Sequence, residues 1–131
     1  LCFKVCFWYC TIPVNGVDYM HQALAAPLFL EQLRPVLMQG DVRLKPRNRK
    51  TSDFIRETGI HLDDMLSILA ELKPKHYHRG PSADHNGSEG EIMEFIYPEK
   101  APKFYIKLKL LTLQARKVCD IMSFHEEGSY E

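Results

Sequence analysis

The sequence predicts an α+β fold in which N-terminal helices pack on one face of a small antiparallel sheet of about three strands, and three observations predict it. Residues 103–113, KFYIKLKLLTL, alternate cleanly, with Phe104, Ile106, Leu108 and Leu110 on one side and Tyr105, Lys107 and Lys109 on the other. A period of two with one apolar side marks a half-buried antiparallel strand. Segments with a helical apolar stripe come before it, at 25–39 and 62–72, and strand-like segments flank it, at 91–97 and 118–125. A meander of three strands needs one face covered, and the stripes of the preceding helices are suited to cover it.

The totals allow one domain with a real core: 131 residues, 45% apolar and 26% charged. Lys and Arg number 17 and Asp and Glu 17, so bulk charge does not argue for a polyanion partner. The distribution does. Arg43, Lys45, Arg47, Arg49 and Lys50 form one basic run, and Lys73, Lys75, His76, His78 and Arg79 another. The acids collect elsewhere, at Asp63, Asp64, Glu126, Glu127 and Glu131, so a neutral total can hide a basic side. Cys2, Cys6, Cys10 and Cys119 fit neither a paired C-x-x-C zinc site nor a disulfide framework. Free thiols in a reducing, cytoplasmic setting are the expectation.

Taken in order, residues 1–19 read as an N-terminal extension. Their apolar run is shorter than the roughly 20 residues a bilayer needs, and no charged leader precedes a small-residue cleavage site. Met20 is a candidate natural start, which leaves 20–127 as the domain and 128–131 as a tail. The alternatives for the extension are a strand covering a sheet edge, or a helical face on which Cys2, Cys6 and Cys10 hold a soft metal. From Ala25 to Gln39 the pattern is helical, with Leu30, Leu33, Leu37 and Met38 as its apolar stripe. Pro27 suits the first turn, Pro35 predicts a kink or short break, and Gly40 fits the end.

Residues 41–45 read as a short strand or extended loop. Thr51 or Ser52 is expected to cap a short helix ending at Gly59. A second helix over 62–72 carries Leu62, Met65, Leu66, Leu69 and Leu72 on one face, with Asp63 and Asp64 at its positive end. Pro74 opens one further turn, and residues 80–90 are expected to be an exposed, mobile loop. Met93, Phe95 and Tyr97 take one side of the next strand, and Ile92, Glu94 and Ile96 the other.

The open face of such a sheet carries Glu94, Tyr105, Lys107 and Lys109, with His125 joining them if Phe124 is core. Side chains two residues apart on a strand stand about 7 Å apart, so this phenol and these ammonium groups can share a phosphate. His61, His76 and His85 are expected at the surface. His76, His78 and His85 lack a fourth ligand, so no zinc site is expected.

The run LSILAELKPKHYHRGPSADHNG, followed by EIMEF, KFYIKLKL and IMSFHEE, resembles the MqsR family of bacterial toxins over roughly Val42 to Glu127. These are RelE-like messenger-RNA endoribonucleases of type II toxin–antitoxin systems. The order and spacing of the pieces carry the resemblance, with the Tyr-x-Lys and Ser-Phe-His elements. It implies growth-inhibiting cleavage of mRNA without metal or cofactor, and a cognate antitoxin protein that silences the toxin. The ribosome is then a possible but not required partner, and a membrane is not one.

Position by position, the family's Tyr and basic residue after the second helix fall on Tyr77 and His78, with Arg79 adjoining. Its Tyr-x-Lys falls on Tyr105 and Lys107, and its basic residue after Ser-Phe on His125. Where the family often has Trp and then a polar residue, this chain has Met93 and Glu94. An acid there repels a phosphate unless it is protonated or serves as a base. Metal-free cleavage by the 2′-hydroxyl asks for a base, an acid and a stabiliser of phosphate charge. Histidine, with an ordinary pKa of about 6.5, suits the first two, and Lys or Arg the third. The assignment is Lys107, with Arg79, for charge; His78 and His125 as acid and base in either order; and Tyr105 as donor or positioning group. Glu94 is a rival base, and Tyr77, Arg79, Lys109 and Glu94 are the expected RNA contacts. The competing expectation is a small α+β module that binds nucleic acid or protein and cuts nothing.

Overall fold

In the computed structural model the backbone is described over residues 14–128 and side chains over 24–128. A long helix, α1 (Val14–Gln39), leads to β1 (Val42–Leu44), α2 (Arg49–Thr58) and α3 (Leu62–Leu69). A single 3-10 turn (Pro74–His76) then enters β2 (Tyr77–Ser82), β3 (Glu91–Tyr97), β4 (Phe104–Leu113) and β5 (Arg116–Glu126). The strands form one sheet ordered β1-β5-β4-β3-β2. All neighbours are antiparallel except β1, which runs parallel to β5. The class is α+β as expected, but the sheet is mixed and five-stranded rather than antiparallel and three-stranded. The two added strands are the edges. β1 falls where a short strand or extended loop was expected, and β2 was not expected because it contains Gly80 and Pro81, which read as a break.

One face of the sheet is the core. Ala26, Phe29, Leu30, Leu33 and Val36 of α1 recur at helical spacing, and with Met65, Leu69 and Leu72 they cover Met93, Phe95, Ile106, Leu108, Leu110, Cys119, Ile121 and Phe124. Phe54 of α2 closes the far end, with ring centroids 5.9 Å from Phe104 and 6.3 Å from Phe124. The break expected at Pro35 does not occur: α1 is one helix through Pro27 and Pro35. Leu33 and Val36, buried on either side of Pro35, hold the turn against the sheet. The same helix crosses position 19/20, where the extension was expected to end. Residues 1–13, with Cys2, Cys6 and Cys10, and residues 129–131 lie outside the described residues.

Four local expectations are corrected. The cap of α2 is Asn48, whose Oδ1 accepts the Thr51 N–H at 3.2 Å, and not Thr51 or Ser52. Thr51 instead turns inward, is 0% exposed, and accepts the Phe124 N–H at 3.0 Å. Helix α3 stops at Leu69, although Leu72 stays in the core. Residues 82–83 and 85–90 are exposed as expected, but the segment is tied at two points: Gly80 to Ser82 lie in β2, and Asp84 is buried under Arg47 and Lys109. Gly80, at φ +116°, sits so close to β3 that a Cβ would lie 2.8 Å from the Ile92 carbonyl oxygen. His76 is buried rather than superficial. Its Nδ1 accepts the Lys73 N–H at 3.0 Å and its Nε2 pairs with Glu99.

Candidate active site

A bulge in β5 decides what the open face carries. Below it, Cys119 and Ile121 point into the core opposite Leu110 and Leu108. Simple alternation would continue with Ser123 and His125 inward. The register instead slips between Lys107 and Leu108, which pair with Ser123 and Ile121 and leave Met122 as the extra residue. An added residue exchanges the two faces. Phe124 therefore enters the core, and His125 lands on the open side, opposite Tyr105.

On that side Asn48, Lys50, His78, Arg79, Glu94, Tyr105 and His125 line a cleft of about 260 Å³. Ligand pockets for drug-sized molecules run from about 300 to 1,000 Å³, so the cleft is slightly smaller than that range. Tyr105 contacts both imidazoles. Its ring is tilted against His125 at 5.2 Å between centroids and edge-on to His78 at 6.4 Å. The Tyr105 hydroxyl donates to Glu94 Oε1 at 2.8 Å. Glu94 is only 7% exposed, and its register neighbours are Arg79 on β2 and Lys107 on β4. His125 is 2% exposed, with Nδ1 3.0 Å from the Glu126 carbonyl oxygen. A carbonyl only accepts, so Nδ1 carries the proton and Nε2 is the basic nitrogen of the neutral ring. His78 and Arg79 are exposed at the rim.

The third wall comes from the start of α2. Strand β1 covers the outer edge of β5 only as far as Ile121. Beyond it the chain stays attached by other means: Arg47 N–H donates to the Met122 carbonyl at 3.3 Å, and Thr51 takes the Phe124 N–H. This brings Asn48 and Lys50 over the cleft.

Of the expected residues, the cleft gathers His78, His125, Tyr105, Arg79 and Glu94 and leaves out Lys107, Lys109 and Tyr77. Lys107 is on the same face between Glu94 and Ser123 but does not line the cleft. Lys109 is 4% exposed, and its ammonium is held by Asp84 and Ser88, each at 2.7 Å, so it is a buried structural cation and not an RNA contact. Arg47 and Lys109 together hold the Asp84 carboxyl well below the usual carboxylate range. Tyr77 pairs with Phe95, packs against the core, and spends its hydroxyl on the Gly80 carbonyl at 2.6 Å. Tyr105 has its hydrogen on Glu94, so it positions rather than donates to a ligand. In the basic run, Asp120 takes Arg43 and Asp84 takes Arg47. Asn48 and Lys50 were missed. The signal available was Asn before the basic pair of a short helix, a capping residue beside cations.

Among the described residues no three or more His, Cys, Asp or Glu side chains are grouped to hold a metal ion. Nor is any helix there long and apolar enough to cross a membrane. No protein-family model, curated protein or solved structure matches the chain.

Proposed function

We propose that the chain is an endoribonuclease toxin of the kind its resemblance to the MqsR family suggests, cutting messenger RNA in the cytoplasm and silenced by an antitoxin protein. The observation that carries this reading is the cleft, where imidazoles from opposite flanks of the sheet, β2 and β5, meet beside a buried carboxylate with Lys50 and Arg79 at hand. In-line attack at phosphorus puts the nucleophile and the leaving group on opposite sides, so base and acid must approach from opposite sides as well. His78 and His125 have that relation across Tyr105.

In the proposed step His125 Nε2 takes the proton of the 2′-hydroxyl. The 2′-oxygen bonds to phosphorus, the bond from phosphorus to the 5′-oxygen breaks, and His78 gives its proton to that oxygen. The products are a 2′,3′-cyclic phosphate and a 5′-hydroxyl. Lys50 and Arg79 offset the added negative charge, and Glu94 holds Tyr105 in place between the rings. Each proton transfer is worth on the order of a hundred- to ten-thousand-fold.

The test uses RNA with sulfur in place of the bridging 5′-oxygen, a leaving group that needs no acid. His78→Ala should recover most of its rate on that substrate and His125→Ala should not. The opposite pattern exchanges the two roles. Wild-type protein that leaves cellular RNA intact, with and without ribosomes, refutes the reading.

Glu94 gives a second reading some footing. A buried carboxylate in the cleft, holding the Tyr105 hydroxyl, also suits a module that binds RNA or protein without cutting. Salt-sensitive RNA binding with the RNA left full length would favour that module.

A further inference from the structure

The Asn48 side chain has two neighbours to serve. Its Oδ1 accepts the Thr51 N–H and starts α2, and Asn48 lines the cleft beside Lys50 and Arg79. A carboxamide has one acceptor oxygen and one NH₂ group with two donor hydrogens. With the oxygen committed to the helix, the amide has its donor end left for the cleft. We propose that Asn48 is a catalytic residue, whose Nδ2 donates to a non-bridging oxygen of the phosphate seated between His78 and His125. This rests on the cleavage reading above.

The choice of residue supports the proposal. Asn, Asp and Ser cap helices about equally well, so capping alone does not require Asn. Asn is the one of the three whose donor sits on a different atom from the capping oxygen, since a Ser O–H belongs to the oxygen that caps. Asp would present a second charge to a phosphate already facing Glu94.

The backbone holds this donor in place on both sides. Arg47, just before it, donates its N–H to the Met122 carbonyl and sends its guanidinium to Asp84. Thr51, three residues on, holds the Phe124 N–H. The amide is thereby tied to the stretch of β5 that carries His125, so base and donor are anchored to the same strand. A donor fixed before the charge develops costs no reorganisation when it does.

The experiment compares wild type, Asn48→Asp and Asn48→Ser in three measurements. These are thermal melting, binding of a short 2′-O-methyl RNA that lacks the nucleophile, and single-turnover cleavage of ordinary RNA. Both variants should melt with the wild type, because both still cap. Asn48→Asp should weaken binding about tenfold and slow cleavage on the order of a hundredfold, and Asn48→Ser should slow cleavage by about tenfold or more. Asn48→Ser with wild-type binding and cleavage overturns the proposal, as does Asn48→Asp with undiminished binding. Losses that track a fall in melting temperature also overturn it, since the amide would then be only a cap. Wild-type protein that binds the 2′-O-methyl RNA yet leaves ordinary RNA uncut defeats the cleavage reading. In that case the donor stands only if Asn48→Ser, which adds no charge, also weakens that binding.

Discussion

Replacing Thr51 with Val removes one oxygen from a site that is otherwise unchanged in shape. Thr51 is 0% exposed and its Oγ1 receives the Phe124 N–H at 3.0 Å. Strand β1 pairs with β5 no further than Ile121, so among the described residues no strand partner lies on that edge to take the N–H instead. A buried donor left without an acceptor costs about 1–3 kcal/mol. Relief of the buried hydroxyl offsets part of that, so the expected net loss is about 1–2 kcal/mol. In a domain of this size 1 kcal/mol moves Tm by roughly 3–6 °C. Thr51→Val should therefore melt roughly 3–12 °C below wild type. Thr51→Ser keeps the acceptor and gives up one buried methyl, at about 0.5–1.5 kcal/mol. Because those losses overlap, the deciding assay is amide exchange at Phe124. Exchange should accelerate in Thr51→Val beyond what its global stability explains, and stay protected in Thr51→Ser. A Thr51→Val protein that melts with the wild type and protects Phe124 refutes the reasoning.

Other outcomes follow from the same geometry. Lys50→Ala should reduce RNA cleavage by about tenfold or more, and Lys107→Ala by less than about threefold, since only Lys50 lines the cleft; single-turnover rates decide, and the reverse order returns the charge role to Lys107. Asp84 is held below the usual range by Arg47 and then Lys109, so the folded chain binds fewer protons there than the unfolded chain. Its contribution is present above the unfolded pKa of about 3.9 and is lost as pH falls below it. Asp84→Asn should lower the urea midpoint at neutral pH, with the gap to wild type narrowing in acid; a gap that does not change with pH contradicts this. Burial, and secondarily the charge of Asp120, push the Cys119 thiol up to about 12. Peptide mapping after iodoacetamide at mildly alkaline pH should find Cys119 unmodified in the native protein and modified in denaturant.

The central strands were legible because alternation is a local property. Tyr105, Lys107 and Glu94 occupy the predicted side, and Met93, Phe95, Ile106 and Leu108 the core. The helical stripes were legible in part: Leu30 and Leu33 of α1 and Met65 and Leu69 of α3 are core, but Phe29 and Val36 take the place of Leu37 and Met38, and Met38 is 88% exposed; the Gly59 end of α2 was legible too. The edge strands were less so. A three-residue strand shows no period, so 41–45 could be read only as a short strand or extended loop, and β2 pairs with β3 despite Gly80 and Pro81.

What the sequence by itself determined is which side chains share a face: the i, i+2 and i, i+3/i+4 rules act within a few residues, wherever the segment ends up. Which face His125 joins, which cations stay near the cleft, and what forms its third wall were decided only by tertiary structure. The slip at Met122 turns His125 outward. Asp84, far along the chain, claims Arg47 and Lys109. Thr51, meeting Phe124 across 73 positions, brings Asn48 and Lys50 over the sheet. These contacts join residues distant in the chain, and a buried charge or N–H takes whichever partner the packing presents, which no local pattern records.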